Sequence, residues 1–130
     1  MVKGKIQTKD NFGYKKLVLY QKAKKLVLIT YKLTVNFPRT EIYSLVPQMR
    51  RAAVSVMANI VEGYAKDSSA EFARYLTISI GSITELEVYI DLSYELNFID
   101  KKRYDIITTL VDETKTLLYG SRKAVRLRVR

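Results

Sequence analysis

Four polar side chains stand at helical spacing within the most apolar stretch of the chain, R-R-A-A-V-S-V-M-A-N-I-V-E-G at residues 50–63. Arg51, Ser55, Asn59 and Glu62 follow one another at intervals of four, four and three residues, which places them on one face of a helix. A helix that is apolar around most of its circumference is normally buried, and a buried amide or charge needs a partner. These four residues are therefore expected to interact with another helix.

Two interpretations of this polar series remain open. It is either a structural network that joins two packed helices, or a site that binds a ligand or a second subunit. In the structural interpretation the partners come from the next helix, where Glu85 could reach Arg51 and where Tyr75 is a further candidate. The predicted structural network comprises Arg51, Ser55, Asn59, Glu62, Glu71, Ser82 and Glu85.

The chain contains neither histidine nor cysteine, and this absence limits its chemistry. It excludes disulfides, thiolate metal sites and cysteine nucleophiles, and it removes the commonest general base. Glu62, Glu71 and Glu85 could bind a hard divalent cation, but metal-binding bundles typically use Glu-x-x-His ligands, and Arg51 would repel the metal. We predict no catalytic residue, no metal site and no cofactor, and hence a protein that is not an enzyme.

The sequence has no apolar run of about 18 residues, and its first residues, M-V-K-G-K-I-Q-T-K-D-N, lack the apolar region of a signal peptide. We therefore expect a cytoplasmic protein without a membrane partner.

The net charge of +10 is concentrated at the two ends of the chain. Residues 1–39 carry +9, residues 40–100 carry −5 and residues 101–130 carry +6. Such asymmetry favours a basic surface that binds a polyanion, although charge that merely maintains solubility is the simpler explanation. The residues predicted to bind nucleic acid are Lys15, Lys16, Lys22, Lys25, Lys32, Arg122, Lys123, Arg126, Arg128 and Arg130. The tyrosines that either stack on bases or lie in the core are Tyr14, Tyr20 and Tyr119.

Apolar periodicity divides the chain into four predicted helices joined by short connections. We predict an all-α fold, an antiparallel up-down-up-down four-helix bundle. The predicted parts are a basic arm at 1–11, a bundle at 12–122 with helices at 14–36, 44–63, 69–97 and 101–122, and a basic tail at 123–130.

Local signals predict where these helices begin and end. Ser44 is the expected N-cap of the second helix, Ser68 and Glu71 form the pattern of a capping box for the third, and Asp100 is the expected N-cap of the fourth. Gly120 either ends or interrupts the fourth helix, and the tail after it is expected to be extended or disordered.

Small residues in the third helix predict a site of close helix packing. Ser79, Gly81 and Ser82 form a patch that another helix can approach closely, and the Ala/Ser-rich second helix is the expected neighbour.

Several longer segments together resemble a known family. They are L-V-L-Y-Q-K-A at 17–23, Y-K-L-T-V-N-F-P at 31–38, Q-M-R-R-A-A-V-S-V-M-A-N-I-V-E-G at 48–63, E-F-A-R-Y-L at 71–76 and G-S-I-T-E-L-E at 81–87. The chain resembles the S23, or 23S ribosomal RNA intervening-sequence, protein family over residues 12–122, with Met57 where many members have proline.

The resemblance implies an antiparallel four-helix bundle that assembles into a homopentameric barrel and has no catalytic activity. It also implies a relationship to the accessory variability determinant proteins of diversity-generating retroelements, which bind nucleic acid and a reverse transcriptase.

Two functions remain open at this point. The first is a basic homo-oligomer that binds nucleic acid, RNA more than DNA, mainly through phosphate contacts. The second is a protein-interaction scaffold, such as an accessory subunit of a reverse transcriptase or of ribosome-associated proteins.

Overall fold

The computed structural model describes residues 13–129, which are helical throughout apart from turns and connections and include no strand. Two short 3₁₀ turns, at Gly13–Lys16 and Arg39–Glu41, precede the first and second α-helices. The α-helices are α1 (Val18–Thr34), α2 (Leu45–Tyr64), α3 (Ser69–Glu95) and α4 (Lys101–Arg126). The all-helical prediction is confirmed.

Each helix packs against two others, so that α1 and α3 occupy opposite corners, as do α2 and α4. The apolar side chains of all four helices point into a shared core, as expected for a bundle. Its fully buried members include Leu26, Met49, Ile60, Leu76, Ile83, Leu86, Ile90, Ile107 and Leu118.

Side-chain caps begin α3 and α4 where the sequence predicts them. The Ser68 hydroxyl accepts a hydrogen bond from the backbone N–H of Glu71 at 3.1 Å, and the Asp100 carboxylate accepts one from the N–H of Arg103 at 2.8 Å. Ser44 is the N-cap residue of α2 as predicted, but its hydroxyl donates to the Glu41 carboxylate at 2.8 Å instead of accepting a hydrogen bond from the first turn of α2.

The end of α3 depends on a residue in the left-handed region. Asn97 has φ 63°, the Asn97 N–H bonds to the carbonyl of Tyr94, and the Phe98 N–H bonds to that of Ser93 at 2.8 Å. This pair of bonds satisfies the last carbonyls of the helix and turns the chain sharply toward α4. The helix therefore ends at Glu95, two residues before the predicted end.

The fourth helix passes through Gly120 and continues to Arg126, four residues beyond its predicted end. Residues 123–126, which the sequence predicts to be an extended or disordered tail, are helical. The reason is that Val125 is buried against the bundle and holds the last turns in place. At the other end of the chain, α1 begins at Val18 instead of residue 14, because the preceding residues form the first 3₁₀ turn.

The second and third helices approach each other closely at Gly63, which the sequence did not single out for packing. A Cβ atom at this position would lie 2.7 Å from the Tyr75 Cβ and 2.9 Å from a ring carbon of Phe72, closer than packed atoms allow. Ser79 does contact α2, since its hydroxyl donates to the Val56 carbonyl at 2.9 Å. Gly81 does not, because nothing lies within 4 Å of a Cβ placed there.

Candidate nucleic-acid interface

Part of the predicted polar network joins α2 to α3. The hydroxyls of Ser55 and Ser82 lie 2.7 Å apart, and the Asn59 amide donates to the Ser55 carbonyl at 2.8 Å and to its hydroxyl at 3.1 Å. These partly buried groups satisfy one another, which removes the cost of leaving them without partners between two helices. The network is therefore structural at Ser55, Asn59 and Ser82.

The charged members of the predicted network lie outside it. Arg51 is exposed and donates to Gln48 within its own helix, and Glu85 accepts a hydrogen bond from Tyr89 at 2.6 Å. The expected ion pair between Arg51 and Glu85 does not form within the described residues. The reason is helical phase: Ala53, on which the core face of α2 is centred, lies two residues from Arg51, so Arg51 points to the opposite side.

The remaining acidic members are also on the surface. Glu62 is exposed, and Glu71 pairs with Arg74 of the next helical turn at 3.2 Å. The arginine that is partly buried is Arg50, which sequence reasoning missed: its Nε donates to the Thr34 hydroxyl at 2.9 Å, and its guanidinium lies 4.6 Å from the centre of the Tyr31 ring. Only the packing of α1 on α2 identifies these partners.

The two acid-free segments of the sequence meet at one end of the bundle. No Asp or Glu occurs between Asp10 and Glu41, and none follows Glu113. The helices that carry these segments, α1 and α4, are antiparallel neighbours: Lys22 pairs with Glu113 at 3.0 Å, whereas Lys32, later in α1, shares a groove with Lys102 at the start of α4. The beginning of α1 and the end of α4 therefore share one end of the molecule, and beyond the Lys22–Glu113 pair neither helix has an acid there to balance the positive charges.

The lysines predicted along α1 do not contribute equally to this basic end. Lys22 is paired with Glu113, and Lys25 lines a surface groove that also contains Glu113 and Asp105. Lys32 lies near the opposite end of the bundle, in a groove that α1 and the first turns of α4 line together. Lys15 and Lys16 are exposed just before α1.

The basic residues at the end of α4 are closer to α3 than to α1. Arg122 donates to the Thr77 hydroxyl of α3 at 3.2 Å, and its guanidinium lies 5.2 Å from the centre of the Tyr119 ring. Arg126 lines a shallow groove together with Thr77 and Arg74. Lys123 and Arg128 are exposed, whereas Arg130 lies outside the described residues.

Arg74 is a basic residue that the sequence analysis missed. The hydrogen bond to Glu71 and the charge of that carboxylate raise the pKa of Arg74 above its ordinary value, and the guanidinium lies 4.7 Å from the centre of the Tyr75 ring. In the sequence Arg74 stands in the mildly acidic middle of the chain, 52 residues from Arg126. Its place beside the basic end of α4 follows only from the packing of α3 on α4.

The three candidate stacking tyrosines differ in exposure. Tyr14 and Tyr20 are partly buried and pack edge-on with ring centres 5.1 Å apart. Tyr119 is 47% exposed, on the turn of α4 that precedes Arg122. Of these candidates, Tyr119 has the ring most open to stacking.

Polar contacts between α3 and α4 hold the two helices in register away from the basic end. The Tyr104 hydroxyl donates to Asp91 at 2.7 Å, and this bond to a carboxylate raises the pKa of Tyr104 to about 12. Lys115 donates to Glu87 at 2.9 Å, and the bond raises the pKa of Lys115. Both contacts favour one alignment of α3 on α4, and that alignment places Arg74 near Arg126.

Within residues 13–129, no group of three or more carboxylates is arranged to hold a metal ion. None of the helices in this part of the chain combines the length and apolar character that crossing a membrane requires.

The family model for the 23S rRNA-intervening sequence protein matches residues 15–120. The chain belongs to this family. It is also similar to a crystal structure of a protein from the S23 ribosomal protein family of Bacteroides thetaiotaomicron VPI-5482, which is described as having unknown function. The two share 26% sequence identity with a TM-score of 0.74, over 82% of this chain and 99% of that one. No curated protein matches the chain.

Proposed function

We propose that this protein is a non-enzymatic, cytoplasmic nucleic-acid-binding protein that contacts phosphates, with RNA as the favoured ligand. The observation that carries this proposal is the meeting of two acid-free basic segments at one end of the bundle. Positive charge that nearby carboxylates do not neutralise attracts phosphates and releases their counterions. Basic side chains without a groove-reading motif favour backbone contacts over sequence readout. The family's name, which refers to 23S rRNA, supports RNA over DNA.

The proposed functional form is a homopentamer. Exposed apolar side chains follow the outward faces of two helices, Leu28, Tyr31 and Val35 on α1, and Ile78, Val88, Leu92 and Leu96 on α3. Because α1 and α3 occupy opposite corners of the bundle, each copy presents two different apolar faces, and a contact between unlike faces builds a ring. Five copies would combine their charges of +10 into +50, which strengthens attraction for a polyanion.

The same apolar faces support a second candidate function, a scaffold for another protein. In this case one face contacts a partner such as a reverse transcriptase of a diversity-generating retroelement or a ribosome-associated protein. Copurification of one such partner at fixed stoichiometry, without affinity for RNA, would favour the scaffold over the RNA-binding protein.

The test is a salt titration of RNA binding with particle mass measured on the same sample. A ribosomal RNA fragment and an unrelated RNA of equal length are titrated with the wild-type protein. We expect binding that weakens steeply with salt, because several phosphate contacts each release a counterion. Absence of binding to either RNA at low salt would contradict the proposed function, and equal binding to both would restrict it to general phosphate attraction.

A further inference from the structure

The groove between the beginning of α3 and the end of α4 has the composition of an anion site. Ala70, Ala73 and Thr77 line it on the α3 side, and Arg74 and Arg126 are the charged residues that line it. No carboxylate is among its lining residues. From this arrangement we infer that the groove binds a phosphodiester group of a single-stranded nucleic acid, an inference that rests on the proposed function and assigns its site.

Small side chains let a phosphate approach the groove closely. Ala73 is buried and Ala70 carries only a methyl group, and Thr77 and Val129 are the other uncharged residues that line the groove. A guanidinium presents five N–H donors in a planar fork that matches two phosphate oxygens. Arg74 uses one nitrogen toward Glu71, at 3.2 Å, which leaves further donors for a ligand.

Aromatic rings order the arginines near the groove before any ligand binds. The Arg74 guanidinium lies against the ring of Tyr75, and that of Arg122 lies against Tyr119 while it donates to Thr77. An arginine whose position is already restricted loses less conformational freedom when it binds a phosphate. The exposed ring of Tyr119, beside Arg122, then offers a stacking surface for the base next to that phosphate.

The other grooves that contain basic residues fit a phosphate less well. The groove around Lys25 includes the carboxylates of Asp105 and Glu113, which repel an anion. In the groove around Lys32, the neighbouring Arg103 is paired with Asp100 at 2.5 Å. The groove around Lys32, the groove around Arg50 and Arg51 and the α3–α4 groove all lack a carboxylate in their lining, but only the α3–α4 groove among these combines arginines from two different helices.

Two of the arginines at this site lie beyond the part of the chain that the family model matches. That match ends at residue 120, so it includes Arg74 but neither Arg122 nor Arg126. The site therefore combines Arg74, which lies in the matched region, with Arg122 and Arg126, which follow that region.

The test compares two double variants that remove the same amount of charge. Arg74→Gln/Arg126→Gln removes the charges of the groove, and Lys24→Gln/Lys102→Gln removes two exposed charges that lie outside it. Binding of a short single-stranded RNA of mixed sequence is measured across salt, and thermal melting checks that both variants remain folded. We expect the groove variant to bind about tenfold more weakly and its dependence of log K on log salt to be shallower by about 0.7, since the two arginines contact one phosphate and that contact is lost. The affinity of the variant outside the groove should fall by about twofold or less.

The possible outcomes distinguish a failure of the proposed groove from a failure of the proposed RNA-binding function. Equal losses in the two variants would overturn the groove while leaving RNA binding by the protein intact. A wild-type protein that binds no RNA would overturn the proposed function and the groove with it. Arg74→Lys/Arg126→Lys, which keeps the charge but not the planar fork, should recover only part of the affinity, and full recovery would contradict two-point contact by the arginines.

Discussion

At the scale of single residues, neighbouring arginines have different roles because a helix turns by about 100° per residue. Arg50 lies on the side of α2 that packs against α1 and reaches Thr34 and Tyr31. Arg51 is exposed and donates its hydrogen bond to Gln48 of its own helix. The spacing of Arg51 with Ser55 and Asn59 predicts an interhelical contact for Arg51. In the structure it is Arg50 that contacts the neighbouring helix α1.

Substitution of the two arginines should reveal this difference. Arg51→Ala is expected to change the free energy of unfolding by less than about 0.5 kcal/mol, because an exposed contact within one helix contributes little. Arg50→Ala is expected to cost about 1–2 kcal/mol, since a partly buried hydrogen bond and a cation–π contact are lost together. Urea denaturation of both variants measures the difference. A larger loss at Arg51 would instead assign that residue to a contact between subunits.

At the scale of helices, the beginning of α4 combines three adjacent basic residues with one acidic cap. Lys101, Lys102 and Arg103 lie in the first turn, where the helix dipole disfavours positive charge. The Asp100 carboxylate offsets this by accepting the Arg103 N–H and pairing with its guanidinium. The backbone hydrogen bond from Arg103, together with the charges of Arg103 and Lys102, lowers the pKa of Asp100 below its ordinary value.

This lowered pKa predicts a dependence of stability on pH. A carboxyl whose pKa is lower in the folded chain stabilises the fold above its unfolded pKa, and that contribution is lost as pH falls through the folded pKa. Asp100→Asn keeps a capping oxygen but has no charge. We expect wild type to melt at a higher temperature than Asp100→Asn at neutral pH, and the difference to shrink below about pH 4. A constant difference across this range would show that the charge of Asp100 does not stabilise α4.

The burial of Val125 in the last turns of α4 limits which variants can test the basic end of the bundle. The sequence predicts only a basic tail at 123–130, and deletion of a tail is expected to leave a bundle folded. Because Val125 is part of the core, such a deletion would remove apolar contacts along with the charges. Substitution of exposed arginines removes positive charge and leaves the apolar contacts of the core in place.

At the scale of the whole molecule, α3 is apolar toward the core and along much of its outward face. Val88 is 60% exposed and Leu92 45% exposed, one helical turn apart on the side directed away from α2 and α4. An exposed apolar face of this kind is typical of a surface that another protein covers. In the proposed pentamer it contacts the α1 face of the next copy.

Charged substitutions on this face should therefore prevent assembly. Val88→Glu/Leu92→Glu is expected to reduce the particle mass to that of one 15.0 kDa chain, because assembly would bury two unpaired carboxylates. Thr109→Glu/Thr116→Glu, which places the same charges on exposed positions of α4, is the control and should assemble as wild type does. Light scattering after gel filtration measures both. An unchanged mass in the α3 variant would exclude this face from the assembly.

The sequence by itself determined the features that depend on nearby residues. The apolar periodicity predicted four helices, and the caps at Ser68 and Asp100 could be identified because each bonds to a backbone N–H three residues away. The basic ends of the chain were also visible, since charge along a sequence can be counted directly. The family resemblance, carried by segments within residues 12–122, agreed with the family model that matches residues 15–120.

Only the tertiary structure decided which faces meet. It turned Arg51 outward, brought Gly63 against Tyr75, and placed Arg74 beside Arg126 although 52 residues separate them in the chain. The sequence also did not show that Val125 holds the last turns of α4 in place, because Val125 lies in a segment whose pattern predicts a basic, extended tail. The physical reason is that helical periodicity specifies a buried face to within a few tens of degrees, whereas a contact between two particular side chains also requires the rotation and register of both helices, which the packing of the whole core determines.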